Sequence, residues 1–278
     1  MIERACTTEP GLQASVFLFR HVGGCDASRR ADEERQKKNC MRLEVVLSPL
    51  LYESRRLKAG HVTVAVDVLR ATSAICAAFK AGADAVLPLA SLEALPDMAR
   101  RGFVVCAERE GKKMPGARLG NSPLEYLSCD LRGSTLAFST TNGTVAILRA
   151  RDSEQLVVGA FANLDALTSR LSAEARDVVV LCSGWKGAPS IEDTLLAGAL
   201  YDGLQRRGRC EPVDDATLMA HTLWLSARAD LYAFCQRATH VQRLQRLGYD
   251  ADVRWALQAD TCPVVPYYRS QTEMLHVV

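Results

Sequence analysis

The sequence feature that most restricts the fold is a series of seven apolar runs, rich in β-branched residues, between residues 41 and 183. The runs read MRLEVVLSP, HVTVAVDV, ADAVLPL, GFVVC, STLAFST, QLVVGA and DVVVLCS. Helical patterns separate several of them, namely TSAICAAFKAG, SLEALPDMARR, GTVAILRAR and ANLDALTSRLSAEA. Strands that are apolar on both faces and alternate with helices are typical of a mostly parallel sheet with helices on both sides. The pattern therefore predicts an α/β fold, a three-layer α/β/α arrangement.

The two ends of the chain differ from this middle part. The C-terminal third has three segments of helical period: SIEDTLLAGALYDGLQRRG, DDATLMAHTLWLSARAD and LYAFCQRATHVQRLQRLG. No linker rich in Pro, Gly or Ser interrupts residues 41–278, which we interpret as one domain, either a single compact unit or two intimate lobes. Residues 1–40 contain the charged stretch CDASRRADEERQKKNCM without a clear apolar stripe, which predicts a mobile N-terminal extension.

Composition excludes several classes of function. Of the 278 residues, 48% are hydrophobic and 24% are charged, as in ordinary soluble proteins. A net charge of +2 gives no reason to expect a nucleic acid or an anionic membrane as partner. The ten cysteines include no C-x-x-C pair and the five histidines no H-x-x-x-H pair, which argues against a zinc site. We expect a cytoplasmic protein that acts on a small molecule, with a homo-oligomer left open.

The loop after HVTVAVDV carries the first candidate site residues. Asp67 ends the predicted strand, and Arg70, Thr72 and Ser73 follow at the start of a helix. A helix N-terminus favours an anion, and an arginine side chain matches phosphate oxygens. A carboxylate beside a phosphate needs a cation between them, so Asp67 next to Arg70 points to Mg²⁺. The alternative is that Asp67, Thr72 and Ser73 are ordinary helix-capping residues.

The second loop spans residues 106–126, CAEREGKKMPGARLGNSPLEY. Glu108 and Arg109 directly follow a strand, where helix capping does not explain an acid and a base. Ser122 and Glu125 fit the N-cap and the capping box of a helix that begins at a proline. We predict a functional role for Glu108 and Arg109, and we include Asn121 and Ser122 as candidate substrate-binding residues.

Two further loops follow strands and are rich in small or hydroxyl residues. STTNGT provides the candidates Thr140, Thr141, Asn142 and Gly143, whose N–H and O–H groups could bind an anion, although Asn-Gly is also a common turn. The last loop is CSGWKGAPSIEDTLLAG, in which we select Ser183 and Gly184 for substrate and Glu192 and Asp193 for a metal. Acidic residues in a first helical turn also gain from the helix dipole alone. Asp260 is either a turn residue or one more acid at the same cleft.

Together and in this order, the segments VDVLRATS, EREGKKMPGARLGNSPLEY, TTNGT and CSGWKGAPSIEDTLLAG resemble the signature blocks of the 2-phosphosulfolactate phosphatase family. The resemblance runs from about Met41 to the end of the chain. It implies an α/β/α sandwich and the Mg²⁺-dependent hydrolysis of (R)-2-phospho-3-sulfolactate to sulfolactate and phosphate, a step of coenzyme M biosynthesis. The sequence departs from the family pattern at Glu110, where a glycine is usual, and at Ser183, where an alanine is common.

Our hypothesis for the mechanism assigns each candidate a role. Asp67 holds Mg²⁺ with help from Glu192 and Asp193, and Glu108 and Asp260 are further candidate ligands. Arg70, Arg109 and the TTNGT amides bind the phosphate and the sulfonate. Direct attack by water and a phospho-enzyme on Asp67 are both open. Two rival interpretations are an isomerase or phosphotransferase that uses the same anion site, and a non-catalytic protein that binds phosphorylated metabolites.

Overall fold

A computed structural model describes residues 40–208 and 210–277, in which eleven strands form one mixed sheet. The strands are β1 Met41–Val46, β2 His61–Val66, β3 Ala85–Pro88, β4 Val104–Arg109, β5 Lys112–Lys113, β6 Thr135–Ser139, β7 Gln155–Gly159, β8 Asp177–Cys182, β9 Cys210–Pro212, β10 Tyr267–Arg269 and β11 Met274–His276. The seven predicted apolar runs correspond to β1, β2, β3, β4, β6, β7 and β8. The four other strands have only two or three residues each, too few for an apolar pattern to show.

Ten α-helices connect or follow these strands in the described residues. They are α1 Ala71–Lys80, α2 Leu95–Arg100, α3 Pro123–Leu127, α4 Gly143–Arg149, α5 Leu164–Glu174, α6 Ile191–Arg207, α7 Asp215–Ala227, α8 Leu231–Cys235, α9 Thr239–Arg246 and α10 Asp250–Ala256. Pro49–Ser54 and Phe161–Asn163 are short 3₁₀ helices. Serine side chains cap two of the helices: Ser122, as predicted, accepts from the backbone N–H of Glu125, and Ser190 accepts from that of Asp193.

The sheet consists of two parallel groups joined by an antiparallel hairpin. Its strand order is β5-β4-β6-β3-β11-β10-β7-β2-β8-β1-β9. The group β7-β2-β8-β1-β9 is parallel throughout, and so is β4-β6-β3. The hairpin β10-β11 bridges them, with Tyr267 opposite Val157 of β7 and Leu275 opposite Val86 of β3. Three successive antiparallel pairings separate β7 from β3, so the two parallel groups run in opposite directions within the sheet.

Alternate residues of the central strands fill two different cores. In β2, Val62, Val64 and Val66 pack with α6 and its neighbours, whereas Ala65 packs on the opposite face with α1 and α4. All six residues of β2 are buried. A strand buried on both faces needs a layer of helices on each side. The predicted three-layer α/β/α fold with a mostly parallel sheet and a helix-rich C-terminal third is confirmed.

Two predictions concern the ends of the chain and its relation to membranes. The predicted mobile extension over residues 1–40 lies, apart from Cys40, outside the described residues. Within residues 40–208 and 210–277, no helix combines the length and the apolar character needed to cross a bilayer.

Candidate active site

A pocket of about 290 Å³ is lined by residues at or after the carboxyl ends of strands from both parallel groups. Asp67 follows β2, Glu108 stands near the end of β4, and Thr141 and Asn142 follow β6; all four line the pocket. In sheets of parallel strands, loops at the carboxyl ends are the usual position for ligand-binding groups. Three of the four predicted loops thus contribute candidate residues to one pocket.

Asp67 is buried at the base of this pocket, with 7% of its surface exposed. Burial raises the pKa of its carboxyl group well above the usual range, and the carboxylates of Asp193, Glu108 and Glu192 raise it further. α4 begins against this side chain, since a Cβ added to Gly143 would lie 2.7 Å from Asp67 Oδ2. The site therefore concentrates negative charge where little water is present to screen it.

Glu108 is the second buried carboxylate that lines the pocket. The backbone N–H of Gly111 donates to its Oε1, and so does the Thr141 hydroxyl, at 3.3 Å. The backbone N–H of Thr141 donates more weakly to Oε2, at 3.5 Å. These bonds hold the carboxylate between the second and third predicted loops.

Asp193 and Glu192, the other two predicted metal ligands, are buried beside Asp67 but do not line the pocket. Both Asp193 oxygens accept backbone hydrogen bonds, Oδ1 from Val68 at 2.8 Å and Oδ2 from Gly184 at 3.0 Å, and burial raises its pKa to about 6. Burial, together with the Asp193 charge, raises the pKa of Glu192 to about 8. Asp193 thus ties the loop after β8 to the loop after β2.

The predicted metal set of Asp67, Glu192 and Asp193 does not come together as a ligand group. Among the described residues, no three His, Cys, Asp or Glu side chains are arranged to hold a metal ion. Asp260 is exposed and accepts a hydrogen bond from the backbone N–H of Asp165, so it acts as a turn residue at the start of α5. The carboxylates that reach the pocket are Asp67, Glu108 and the exposed Glu110.

Arg70 lines the pocket, but its guanidinium is already bonded within the protein. Nη1 donates to Asp252 Oδ2 at 2.7 Å and Nη2 to the Gly111 carbonyl at 2.7 Å. The guanidinium also lies over the Tyr249 ring, 3.9 Å from its centroid. A side chain of α10 and a carbonyl of the second loop thus occupy two of its nitrogens. The guanidinium can therefore donate fewer hydrogen bonds to a phosphate than the sequence predicted.

Arg109 is not among the residues that line the pocket. Its Nη2 donates to the Ser139 hydroxyl at 2.9 Å and its Nη1 to the carbonyl of Glu108 at 2.6 Å. The side chain therefore joins β4 to β6.

Most of the predicted hydroxyl groups are bonded to backbone in their own loops. Thr72 and Ser73 donate to the carbonyls of Asp67 and Val68, each at 2.8 Å, and Thr140 accepts from the backbone N–H of Thr144. Ser122 donates to Asp252 Oδ1 at 2.7 Å while it caps α3. These four side chains shape the loops and do not line the pocket. Ser122 is the one among them that caps a helix with its side chain, and α1 and α4 begin without a side-chain cap.

The remaining candidates divide into pocket and backbone positions. Asn121 lines the pocket, is buried, and its Oδ1 has no hydrogen-bond partner in the described part of the chain. Ser183 is likewise buried with an unbonded hydroxyl, yet it does not line the pocket. Gly184 is required by packing, because a Cβ there would lie 2.2 Å from the Ala188 carbonyl and its φ is +61°.

The pocket residues that were not predicted from the sequence include Trp185, Lys186, His240 and Arg243. Trp185 and Lys186 belong to the loop CSGWKGAPS, where a large aromatic residue and a lysine between glycines are the signal that could have identified them. His240 and Arg243 are on α9, whose sequence shows only an amphipathic helix. His240 Nε2–H donates to the Leu69 carbonyl at 2.9 Å, and burial lowers its pKa to about 4.

Comparisons with known proteins match most of the chain to one family. The model of the family described as 2-phosphosulpholactate phosphatase matches residues 47–271, which include every candidate site residue. A probable 2-phosphosulfolactate phosphatase from Caldanaerobacter subterraneus subsp. tengcongensis is 35% identical over 216 residues, which cover 76% of this chain and 89% of that protein.

Two relatives from cyanobacteria carry the same name, probable 2-phosphosulfolactate phosphatase. The one from Synechococcus sp. (strain RCC307) is 39% identical over 218 residues, 74% of this chain and 89% of the relative. The one from Prochlorococcus marinus is 37% identical over 219 residues, 76% and 90% of the two chains. The resemblance found in the sequence is confirmed, and the chain belongs to the 2-phosphosulfolactate phosphatase family.

Proposed function

We propose that this protein is a Mg²⁺-dependent phosphatase that hydrolyses 2-phospho-3-sulfolactate to 3-sulfolactate and phosphate. The observation that carries the proposal is the pairing of two buried carboxylates, Asp67 and Glu108, in one pocket with the polar groups of Asn121, Thr141 and Asn142. Membership of the family supports the substrate. On the same basis we extend the proposal to a cytoplasmic role in coenzyme M biosynthesis.

The residues present fit Mg²⁺, although fewer of them reach the pocket than the sequence predicted. Mg²⁺ is commonly held by one or two carboxylates together with substrate phosphate oxygens and water. Asp67 and Glu108 supply two carboxylates, and the raised pKa of Asp67 indicates a group whose ionised form needs a compensating cation. The bound ion would neutralise charge on the phosphoryl oxygens. Asp193 fits this role less well, because backbone N–H groups occupy both of its oxygens.

The chain's own groups position the phosphate. Phosphate monoesters are hydrolysed through a loose transition state, so orientation and charge neutralisation supply most of the catalysis. The backbone around Thr141 and Asn142, at the start of α4, and the Asn121 side chain provide polar groups at the pocket wall. Arg70 places its guanidinium at the same wall in an orientation that Asp252 and Tyr249 fix.

A phosphate-release screen tests this function directly. The intact chain is incubated with 2-phospho-3-sulfolactate and with other phosphorylated hydroxy acids, with Mg²⁺ and after removal of metal by EDTA. Phosphate release without an acceptor, dependent on Mg²⁺, is the expected result. Binding without release would favour a non-catalytic protein, and conversion without release would favour an isomerase or a phosphotransferase.

A further inference from the structure

Lys186 and Arg243 both lie near the Trp185 ring, and all three residues line the pocket. Lys186 Nζ is 5.1 Å from the ring centroid and the Arg243 guanidinium carbon is 6.0 Å from it. Such cation–aromatic contacts orient the charged groups without neutralising them. We call Trp185, Lys186 and Arg243 the cationic rim.

The two charges of the cationic rim are not compensated within the described part of the chain. There, neither Lys186 nor Arg243 forms an ion pair with a carboxylate, and the one bond found for Arg243 is donated to the backbone carbonyl of Glu110. Arg70, the third cation that lines the pocket, differs because Asp252 neutralises it. Two uncompensated cations that face one pocket favour an anionic group of the ligand.

The backbone around Lys186 supports a specific purpose for this side chain. Lys186 has a φ of 52°, a left-handed conformation that glycine adopts far more readily than lysine. Its neighbour Gly187 also has a positive φ, 79°. A lysine at a strained loop position beside the pocket is consistent with a binding role for its ammonium group.

The rim and the carboxylates place opposite charges in the same pocket. Asp67 and Glu108 supply carboxylates, which suit a bound metal ion and, through that ion, the phosphoryl group. The cationic rim supplies positive charge from its own side chains and needs no metal ion to bind an anion. The fork of an arginine suits a sulfonate or carboxylate through two parallel hydrogen bonds. A ligand with two acid groups would match both parts of the pocket.

We propose that Lys186 and Arg243 bind a second acid group of the substrate, the one that does not react, and so select phosphate esters that carry another anion. This proposal rests on the proposed function and deepens it, because it names the residues that determine specificity. It also moves the sulfonate-binding role from Arg70 and Arg109, whose nitrogens are occupied, to two residues that the sequence did not reveal.

Three related phosphate esters test the selection. 2-Phospho-3-sulfolactate has a carboxylate and a sulfonate, 2-phosphoglycerate has a hydroxyl instead of the sulfonate, and glycerol 2-phosphate has neither acid. For each, kcat/KM is measured with the intact protein and with Lys186→Gln, Arg243→Gln and Arg243→Lys. The matched controls are Lys58→Gln, before β2 at the other end of the sheet, and Arg246→Gln, exposed on α9 outside the pocket.

We expect the ratio of kcat/KM for 2-phospho-3-sulfolactate to that for glycerol 2-phosphate to fall about tenfold or more in each glutamine variant, mainly through KM. Arg243→Lys should lose less, because the charge remains. The ratio of kcat/KM for 2-phosphoglycerate to that for glycerol 2-phosphate shows which acid is bound. If this ratio falls in parallel, the rim binds the carboxylate; if it is unchanged, the rim binds the sulfonate. The proposal would be overturned if both ratios in the variants stayed within twofold of those of the unchanged protein. It would also be overturned if the control variants lost as much selectivity as the rim variants.

A binding measurement separates this proposal from the proposed function. 3-Sulfolactate has the acid groups but no phosphate, and calorimetric titration needs no turnover. Weaker binding in Arg243→Gln and Lys186→Gln than in the two controls supports the cationic rim even if no ester releases phosphate. Equal binding in all variants, or no binding to the unchanged protein, would refute it. Thermal unfolding of each variant establishes that the change is not a loss of fold.

Discussion

Arg70 and Asp252 are separated by 182 positions in the chain and form a buried ion pair, with 2.7 Å between Arg70 Nη1 and Asp252 Oδ2. Their side chains are 2% and 4% exposed. The other Asp252 oxygen accepts from the Ser122 hydroxyl. One carboxylate on α10 therefore fixes a residue from the loop after β2 and a residue from the second loop, and so helps to define the pocket wall.

Asp252→Asn should destabilise the protein. The amide keeps the shape of the side chain but leaves the Arg70 charge buried without a counter-charge, which costs about 3 kcal/mol in the free energy of unfolding. Urea unfolding measures this loss. Asp250→Asn is the matched control, because its ion pair with Arg254 is solvent-exposed and contributes less. Equal losses of unfolding free energy in the two variants would show that the buried Arg70–Asp252 pair contributes no more to stability than the exposed pair.

Asp67→Asn should abolish most turnover without weakening the fold. The amide removes the charge that a hard cation needs, so we expect phosphate release to fall about 100-fold or more. The thermal midpoint should stay the same or rise, because burial and neighbouring carboxylates disfavour the ionised Asp67. Asp260→Asn serves as control, since the exposed turn position tolerates asparagine. Near-normal turnover of Asp67→Asn would contradict the metal site.

Gly143→Ala should disturb the site through packing alone. The added Cβ would lie 2.3 Å from the Ala71 Cβ and 2.7 Å from Asp67 Oδ2, so the start of α4 must move away from the loop after β2. Overpacking of this kind costs about 1–3 kcal/mol. Thermal unfolding and phosphate release should both decline. Gly208→Ala, where the Cβ meets nothing within 4 Å, should change neither measurement.

His240 should contribute to a loss of stability in mild acid. Burial lowers its pKa to about 4, with the charges of Arg243 and Arg70 as further causes, whereas the unfolded chain has the ordinary value near 6.5. Between pH 4 and pH 6.5, His240 is therefore protonated in the unfolded chain but neutral in the folded one. Stability from this group is therefore complete above pH 6.5 and decreases as the pH falls toward 4, by about 3 kcal/mol in total.

Comparison of urea unfolding at pH 7 and pH 4.5 measures this dependence. The decrease between the two pH values should be smaller in His240→Gln than in the unchanged protein. Part of the decrease should remain, because burial also lowers the pKa of His61. An identical pH dependence in the variant would mean that His240 is protonated in the folded state.

Activity should survive thiol-blocking reagents. Cys106 and Cys182 are buried near the site, and burial raises the pKa of Cys106 to about 12 and that of Cys182 well above its usual range. The thiolate is the reactive form, so these groups should react slowly with iodoacetamide at pH 8. Phosphate release before and after treatment is the measurement. Complete inactivation that substrate prevents would indicate a catalytic cysteine.

Local pattern in the sequence was sufficient for the fold and for the position of the pocket. Four of the six residues of β2 are Val or Ala and all six are buried, which requires a sheet between two helical layers. The sequence analysis selected Asp67 and Glu108 from loops after two different strands, and both line the pocket although they are 41 positions apart in the chain. The candidates Asn121, Thr141 and Asn142, from the second and third loops, line it as well.

Tertiary structure alone decided which of these groups are available to a ligand. Arg70 looked like a phosphate clamp in the sequence, but Asp252 and the Gly111 carbonyl occupy its nitrogens. Arg243 looked like one more charge on an amphipathic helix, yet it reaches the pocket beside Lys186. Periodicity reports which face of an element is buried, because burial depends on local spacing. It does not show which distant group becomes the hydrogen-bond partner of a given side chain. That partner depends on how α9 and α10 pack against loops more than a hundred residues away.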